Sequence, residues 1–145
     1  MIYTKLTNKA MQIAYNAHHG QLDYNGIPYI FHPIHLAEQM DDEYTCCVAL
    51  LHDTVEDTSV TLQELEQIFP KPITEAIALM THHRDVDYCD YVRAIKNNPI
   101  AKAVKLADLS HNSDQTRCIG SNIPKEKLDW WKDKYTKAQQ ILLEE

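Results

Sequence analysis

The chain has 145 residues, with 14 lysines plus arginines against 21 aspartates plus glutamates, a net charge of −7, and 44% hydrophobic positions. That is core enough for one domain spanning 1–145, while only three arginines, Arg84, Arg93 and Arg117, leave no basic stripe for a nucleic-acid backbone. The three glycines, Gly20, Gly26 and Gly120, exclude the Gly-rich phosphate cradles of dinucleotide-binding and P-loop folds.

Apolar spacing and sparse Pro/Gly punctuation predict an all-α bundle of about eight helices. The opening residues Met1 to Asn8 lack a signal pattern, and no apolar run approaches the ~18 residues of a membrane span, so a cytoplasmic protein with no membrane partner is expected. Thr7 is placed to cap a first helix over 8–19, with Ala10, Ile13, Ala14 and Ala17 on one face and Gly20 as its left-handed stop. The turn-rich stretch 23–28 precedes a second helix that Pro33 opens, leaving His32 at its mouth, and that runs toward Met40. A third helix is predicted from Tyr44 through the apolar run Val48 to Leu51 and on into His52-Asp53-Thr54-Val55-Glu56-Asp57, ending near Thr58. Cys46 and Cys47 lie in it, and with Cys89 and Cys118 they form no CxxC pair and read as reduced thiols. Thr61 and Glu64 make a capping box for a fourth helix to Phe69, and Pro70 and Pro72 flank a break before a fifth over 73–81. The segment 82–85 reads as a loop, 87–97 as the sixth helix, and Pro99 opens a seventh to Asn112. Leu128, Trp131, Tyr135, Ala138 and Leu142 recur at three- and four-residue steps in a closing helix over 124–143. Its aromatic residues read as packing, and Trp130 leaves the oligomeric state open.

Histidine is the unusual feature: eight residues, several beside metal-capable neighbours. On one continuous helix Glu56 falls four residues after His52 and three after Asp53, hence on the same face. The seventh helix repeats the pattern with Asp108, His111 and Asn112, and Lys105 stands one turn before the aspartate. If the fold brings His32, His52, Asp53 and Asp108 together, they form a mixed nitrogen and oxygen set for one divalent ion, suited to Mn²⁺, Fe²⁺, Zn²⁺ or Ni²⁺. Two features favour a cation here. Glu56 and Asp57 crowd a predicted helix C-terminus, where the dipole disfavours negative charge, and Asp108 follows semi-buried residues, where an unpaired carboxylate is costly.

Four blocks carry a family resemblance: His18-His19-Gly20-Gln21; Gly26-Ile27-Pro28-Tyr29-Ile30-Phe31-His32-Pro33; Leu50-Leu51-His52-Asp53-Thr54-Val55-Glu56-Asp57-Thr58; and Val104-Lys105-Leu106-Ala107-Asp108-Leu109-Ser110-His111-Asn112. In order and spacing they resemble the HD-domain hydrolase module of RelA/SpoT-type proteins. The resemblance implies an HD-type helical bundle in which His32, His52, Asp53 and Asp108 bind one divalent metal, usually Mn²⁺. It further implies that Glu56 and Asp57 activate or position the attacking water and that Asn112 lies near the bound nucleotide. His18, at the head of the first block, is assigned to the substrate side, and Tyr135 matches a substrate-side tyrosine of the metazoan SpoT homolog. The implied reaction is hydrolysis of the 3′-diphosphate of guanosine tetra- or pentaphosphate; the metazoan homolog also resembles an NADPH phosphatase. The separate synthetase module of long RelA/SpoT proteins is not expected in these 145 residues.

One departure concerns the substrate. Between Gln21 and Gly26 the family pattern commonly offers an Arg-Lys pair facing the phosphates, whereas this chain has Asp23-Tyr24. Lys105, Arg84, Lys102 or a lysine of the final helix are the candidates to replace that charge. The leading expectation is therefore a metal-dependent phosphohydrolase acting on a small phosphorylated nucleotide, guanosine tetraphosphate first. The alternatives are the same site acting on NADPH or another nucleotide, and a metal- and nucleotide-binding domain without turnover.

Overall fold

The first helix starts where Thr4 accepts the Thr7 amide at 3.1 Å while Thr7 Oγ1 accepts the Thr4 amide at 2.8 Å, a reciprocal cap. Thr7 thus sits in the third helical position, and α1 runs Lys5–His18, three residues ahead of the predicted start. The computed structural model describes residues 1–144, and among these the only β-structure is a single bridge between Leu22 and Pro28. The remaining helices are α2 (Phe31–Glu38), α3 (Glu43–Leu51), α4 (Thr54–Asp57), α5 (Leu62–Glu66), α6 (Lys71–Met80), α7 (Tyr88–Lys96), α8 (Pro99–Asn112) and α9 (Lys125–Leu143), with a 3₁₀ turn over Gln115–Cys118. The all-α expectation holds, with nine α-helices among the described residues in place of about eight.

Three boundaries differ from the sequence reading for identifiable reasons. Helix α2 begins at Phe31, so His32 lies inside the first turn and Pro33 is the third helical residue; its missing N–H is one of the four that a helix start leaves unpaired in any case. The same tolerance lets Pro72 sit at the second position of α6, which starts at Lys71 with no break at that proline. The third helix does not continue to Thr58. His52 Nδ1 donates to the Ala49 carbonyl at 2.7 Å and Thr54 Oγ1 to the Leu51 carbonyl at 2.8 Å, so side chains take acceptors from the last turn and the helix breaks at His52–Asp53.

The core centres on α3, in which Cys46 through Leu51 are wholly buried, and which packs against α1, α2, α6 and α8. Burial of each Leu or Val in that run is worth roughly 1.5–3 kcal/mol. Because α3 is buried on every side, its C-terminal end emerges inside the bundle. His52, next in sequence, is therefore held where α2 and α8 also converge.

Candidate functional site

Four side chains meet at that convergence. His32 from α2, His52 and Asp53 from the α3–α4 break, and Asp108 from α8 supply two imidazoles and two carboxylates. Ligand atoms of His32, His52 and Asp53 lie within 4.8 Å of one another. Asp108 Oδ1 completes the group at 2.9 Å from His32 Nε2 and 3.6 Å from His52 Nε2. Both histidines and Asp108 are buried, and Asp53 is half-buried toward a cavity.

The hydrogen bonds of His52 bear on whether these residues fit a metal. A carbonyl oxygen can only accept, so the Nδ1 facing Ala49 carries the proton, and a neutral ring would present a bare lone pair at Nε2. That Nε2 is buried without a hydrogen-bond partner, 2.9 Å from Asp53 Oδ2. A lone pair facing two carboxylates is repulsive unless positive charge lies between them. Burial opposes a charge on His52, but Asp53 and Asp108 outweigh it and hold its pKa well above the ordinary value. Burial likewise opposes ionisation of Asp53, yet His52 brings its carboxyl down to about 2. Asp108 is also held well below the usual carboxylate range, against burial, by Lys105, His32 and His52. Two nitrogens and two carboxylates around a buried demand for positive charge fit a divalent cation.

The surroundings fix the set. Tyr29 Oη donates to Asp53 Oδ2, and the burial of Tyr29 and the Asp53 charge keep that phenol protonated. His32 Nδ1 is 2.7 Å from His111 Nδ1, and the two rings stack 5.0 Å apart. Burial first, then Arg117 and His32, lower the pKa of His111 to about 4, which leaves it neutral and able to pair with His32 through one shared proton. Lys105 Nζ donates to Asp108 Oδ2 at 2.9 Å, and Asn112 Nδ2 donates to Asp108 Oδ1 at 3.0 Å.

A cavity of about 630 Å³ opens from His32, Asp53 and Asp108 past Glu56 and Asp57 to Asn112 and Tyr135. The break after α3 does not separate the acidic pair from the cluster. Helix α4 is one turn and delivers Glu56 and Asp57 to the same cavity, and the His82 N–H donates to Glu56 Oε1 at 2.6 Å. Two residues expected on the substrate side lie elsewhere. Arg84 is exposed in the loop before α7 and does not line the cavity. His18 is buried behind it, with Nδ1 2.8 Å from Gln21 Oε1 and its ring against Tyr29. Sequence reasoning missed Tyr29, the His82 amide and Arg117. Only Tyr29 left a signal, inside the block that ends in His32-Pro33.

Asp23 proves to be a turn residue. Its carboxylate accepts the Asn25 and Ile27 amides at 2.8 and 3.0 Å, bridging the turn in which Gly26 takes φ +77°, and lies 3.5 Å from Arg117 Nη2. Tyr24 packs on Trp131 with centroids 4.7 Å apart.

Asp57 provides a pH signature. Burial, then the charges of Asp53 and Glu56, lift its carboxyl to about 6 from the ordinary 3.8. In that window the folded chain keeps a proton that the unfolded chain releases. The group therefore favours the folded state in acid, and that contribution is lost as pH rises through about 6. Asp57→Asn is expected to make the chelator-treated protein more stable than its parent at pH 7, with the difference vanishing near pH 4. Urea unfolding at the two pH values checks it, and a difference that persists in acid would contradict this origin.

The pattern of the HD domain family matches residues 10–116. The bifunctional (p)ppGpp synthase/hydrolase SpoT of Escherichia coli strain K12 and the guanosine-3′,5′-bis(diphosphate) 3′-pyrophosphohydrolase of Escherichia coli O157:H7 are each 33% identical over 138 residues, 85% of this chain and 19% of theirs. The chain thus spans about a fifth of the length of these curated relatives. Among solved structures, a metazoan ortholog of SpoT described as hydrolysing ppGpp superimposes with a TM-score of 0.73 at 22% identity, covering 98% of this chain and 94% of that one. That likeness establishes the shared helical fold.

Proposed function

The chain belongs to the HD domain family, and on that premise we propose that it is a metal-dependent phosphohydrolase that cleaves the 3′-diphosphate of a guanosine 3′,5′-bis(diphosphate)-type nucleotide. The observation that carries this reading is the two-histidine, two-aspartate cluster with an unpartnered His52 Nε2, opening onto a cavity that also holds Glu56 and Asp57. His32, His52, Asp53 and Asp108 would hold one divalent ion, Mn²⁺ by preference, with Fe²⁺, Zn²⁺ or Ni²⁺ compatible with the same donors. Such an ion supplies charge that lowers the pKa of water from ~15.7 toward ~7 and offsets the charge of a phosphoryl group.

The chain's own residues do the rest. His82 N–H anchors Glu56 through Oε1, which leaves Oε2 to orient a water and take its proton. Asp57, with its carboxyl near 6, sits beside it to relay or hold that proton. Attack of the water oxygen on the 3′-linked phosphorus breaks the bond to the sugar oxygen, releasing pyrophosphate and leaving a 3′-hydroxyl. Asn112 and Tyr135 line the cavity where the nucleoside would lie. Lys105, committed to Asp108, sets the charge on that carboxylate. Phosphoryl transfer depends chiefly on positioning and charge neutralisation, which matches a cavity in which Glu56 and Asp57 lie beside the two-histidine, two-aspartate cluster. The names borne by the relatives support the substrate class. Among the described residues no helix is long and apolar enough to cross a membrane.

The test is product release by chelated protein reloaded with Mn²⁺. Guanosine tetraphosphate is expected to yield pyrophosphate only after reloading. Phosphate release from NADPH alone would move the assignment to that substrate, and silence on both would reject the reading.

A further inference from the structure

The cavity is rich in carboxylates, and its cationic side chains are Lys105, Lys134 and Arg117. Two of these are already committed. Lys105 Nζ lies 2.9 Å from Asp108 Oδ2, while Arg117 pairs with Asp23 at 3.5 Å and donates to the His111 carbonyl at 3.0 Å. Lys134 on α9 is different: it forms no ion pair or hydrogen bond with the described residues. Its Nζ lies 4.4 Å from the ring centre of Tyr88 and 5.6 Å from that of Trp130. Two aromatic faces attract an ammonium by only about 0.5–2 kcal/mol and give its N–H groups no oxygen acceptor. Burial and the nearby Lys105 push the Lys134 pKa down against the opposing pull of Glu56. With only aromatic faces in contact, its ammonium has room for an anion in the cavity as partner.

Resting on the phosphohydrolase reading above, we infer that Lys134 binds a phosphate group of the substrate, its ammonium steadied by Tyr88 and Trp130, and supplies from α9 the positive charge that the Asp23–Tyr24 turn lacks. Lys134 lines the same cavity as Glu56, Lys105 and Asp108, the cavity that would receive the diphosphate. Arg117, neutralised by Asp23, does not compete for this role. The ligand chemistry is a diphosphate, and the simplest probe is inorganic pyrophosphate.

Pyrophosphate binding is measured by calorimetry on the full chain, with Mn²⁺ and with chelator, for the parent, Lys134→Gln, Lys134→Arg and the exposed control Lys132→Gln. Lys134→Gln is expected to weaken binding about tenfold or more, the scale of one hydrogen bond to a charged group. Lys134→Arg should retain most of the affinity and Lys132→Gln all of it. Unchanged affinity in Lys134→Gln overturns the inference, whereas the same affinity with Mn²⁺ and with chelator counts against the metal reading instead. A second measurement needs no variant. Pyrophosphate should slow amine acetylation of Lys134 in the parent protein, read by mass spectrometry, while leaving Lys132 unaffected; equal rates with and without the anion also overturn the assignment.

Discussion

Asp53→Ala is expected to abolish stoichiometric Mn²⁺ binding and to lower hydrolysis on the order of a thousandfold or more. Asp53 is the group on which the others depend. Its Oδ2 lies 2.9 Å from His52 Nε2 and accepts the Tyr29 hydroxyl, and its charge is a principal cause of the raised pKa of His52. With it removed, Asp108 is the one carboxylate left in the set, and that group is already shared between Lys105, His32 and Asn112. The half-buried Tyr29 hydroxyl also loses its acceptor. In the parent, the carboxyl at about 2 against an ordinary 3.8 contributes stability above pH ~4 that is lost as pH falls through about 2, so the acid limb of the unfolding profile should flatten in the variant. Metal content by mass spectrometry and pyrophosphate release are the two readings. Full metal occupancy in the variant would remove Asp53 from the ligand set.

The features legible in the sequence are those that local chemistry fixes. Helix α8 was readable at its start because Asn98 accepts the Ala101 amide and Pro99 needs no N–H there, and the helical spacing that follows placed Lys105, Asp108 and Asn112 on one face. The break after α3 was not readable. Its apolar run reads straight into His52, and only the folded chain shows His52 and Thr54 taking the Ala49 and Leu51 carbonyls. Glu56 reaches the cavity all the same, by a separate turn and not along one helical face. Arg84 and His18 were misplaced because charge and motif position carry no information on direction: one loop points outward, and one ring is buried against Tyr29. The partners of Asp23 and Glu56, Arg117 and the His82 amide, are long-range contacts. No local pattern encodes them.

Glu56→Gln separates proton transfer from metal binding. The amide keeps the shape of the side chain, and its oxygen can still accept the His82 N–H that holds Oε1 at 2.6 Å, so the geometry of α4 should persist. What it cannot do is take a proton from water. The expected result is a metal content equal to the parent's with turnover down ~10²–10⁴-fold, the range of a lost general base. Glu56→Ala should lose at least as much, since it also leaves the His82 amide without its acceptor. The contrast with Asp53→Ala is the informative one. If both positions lose metal equally, Glu56 is a ligand and the base lies elsewhere, with Asp57 next in line. If Glu56→Gln keeps both metal and turnover, Glu56 does not take the proton and Asp57 is again the candidate base. Asp57 is exposed, and its carboxyl near 6 makes such a role readable in the pH profile: a base at Asp57 would place the acid limb of kcat near 6.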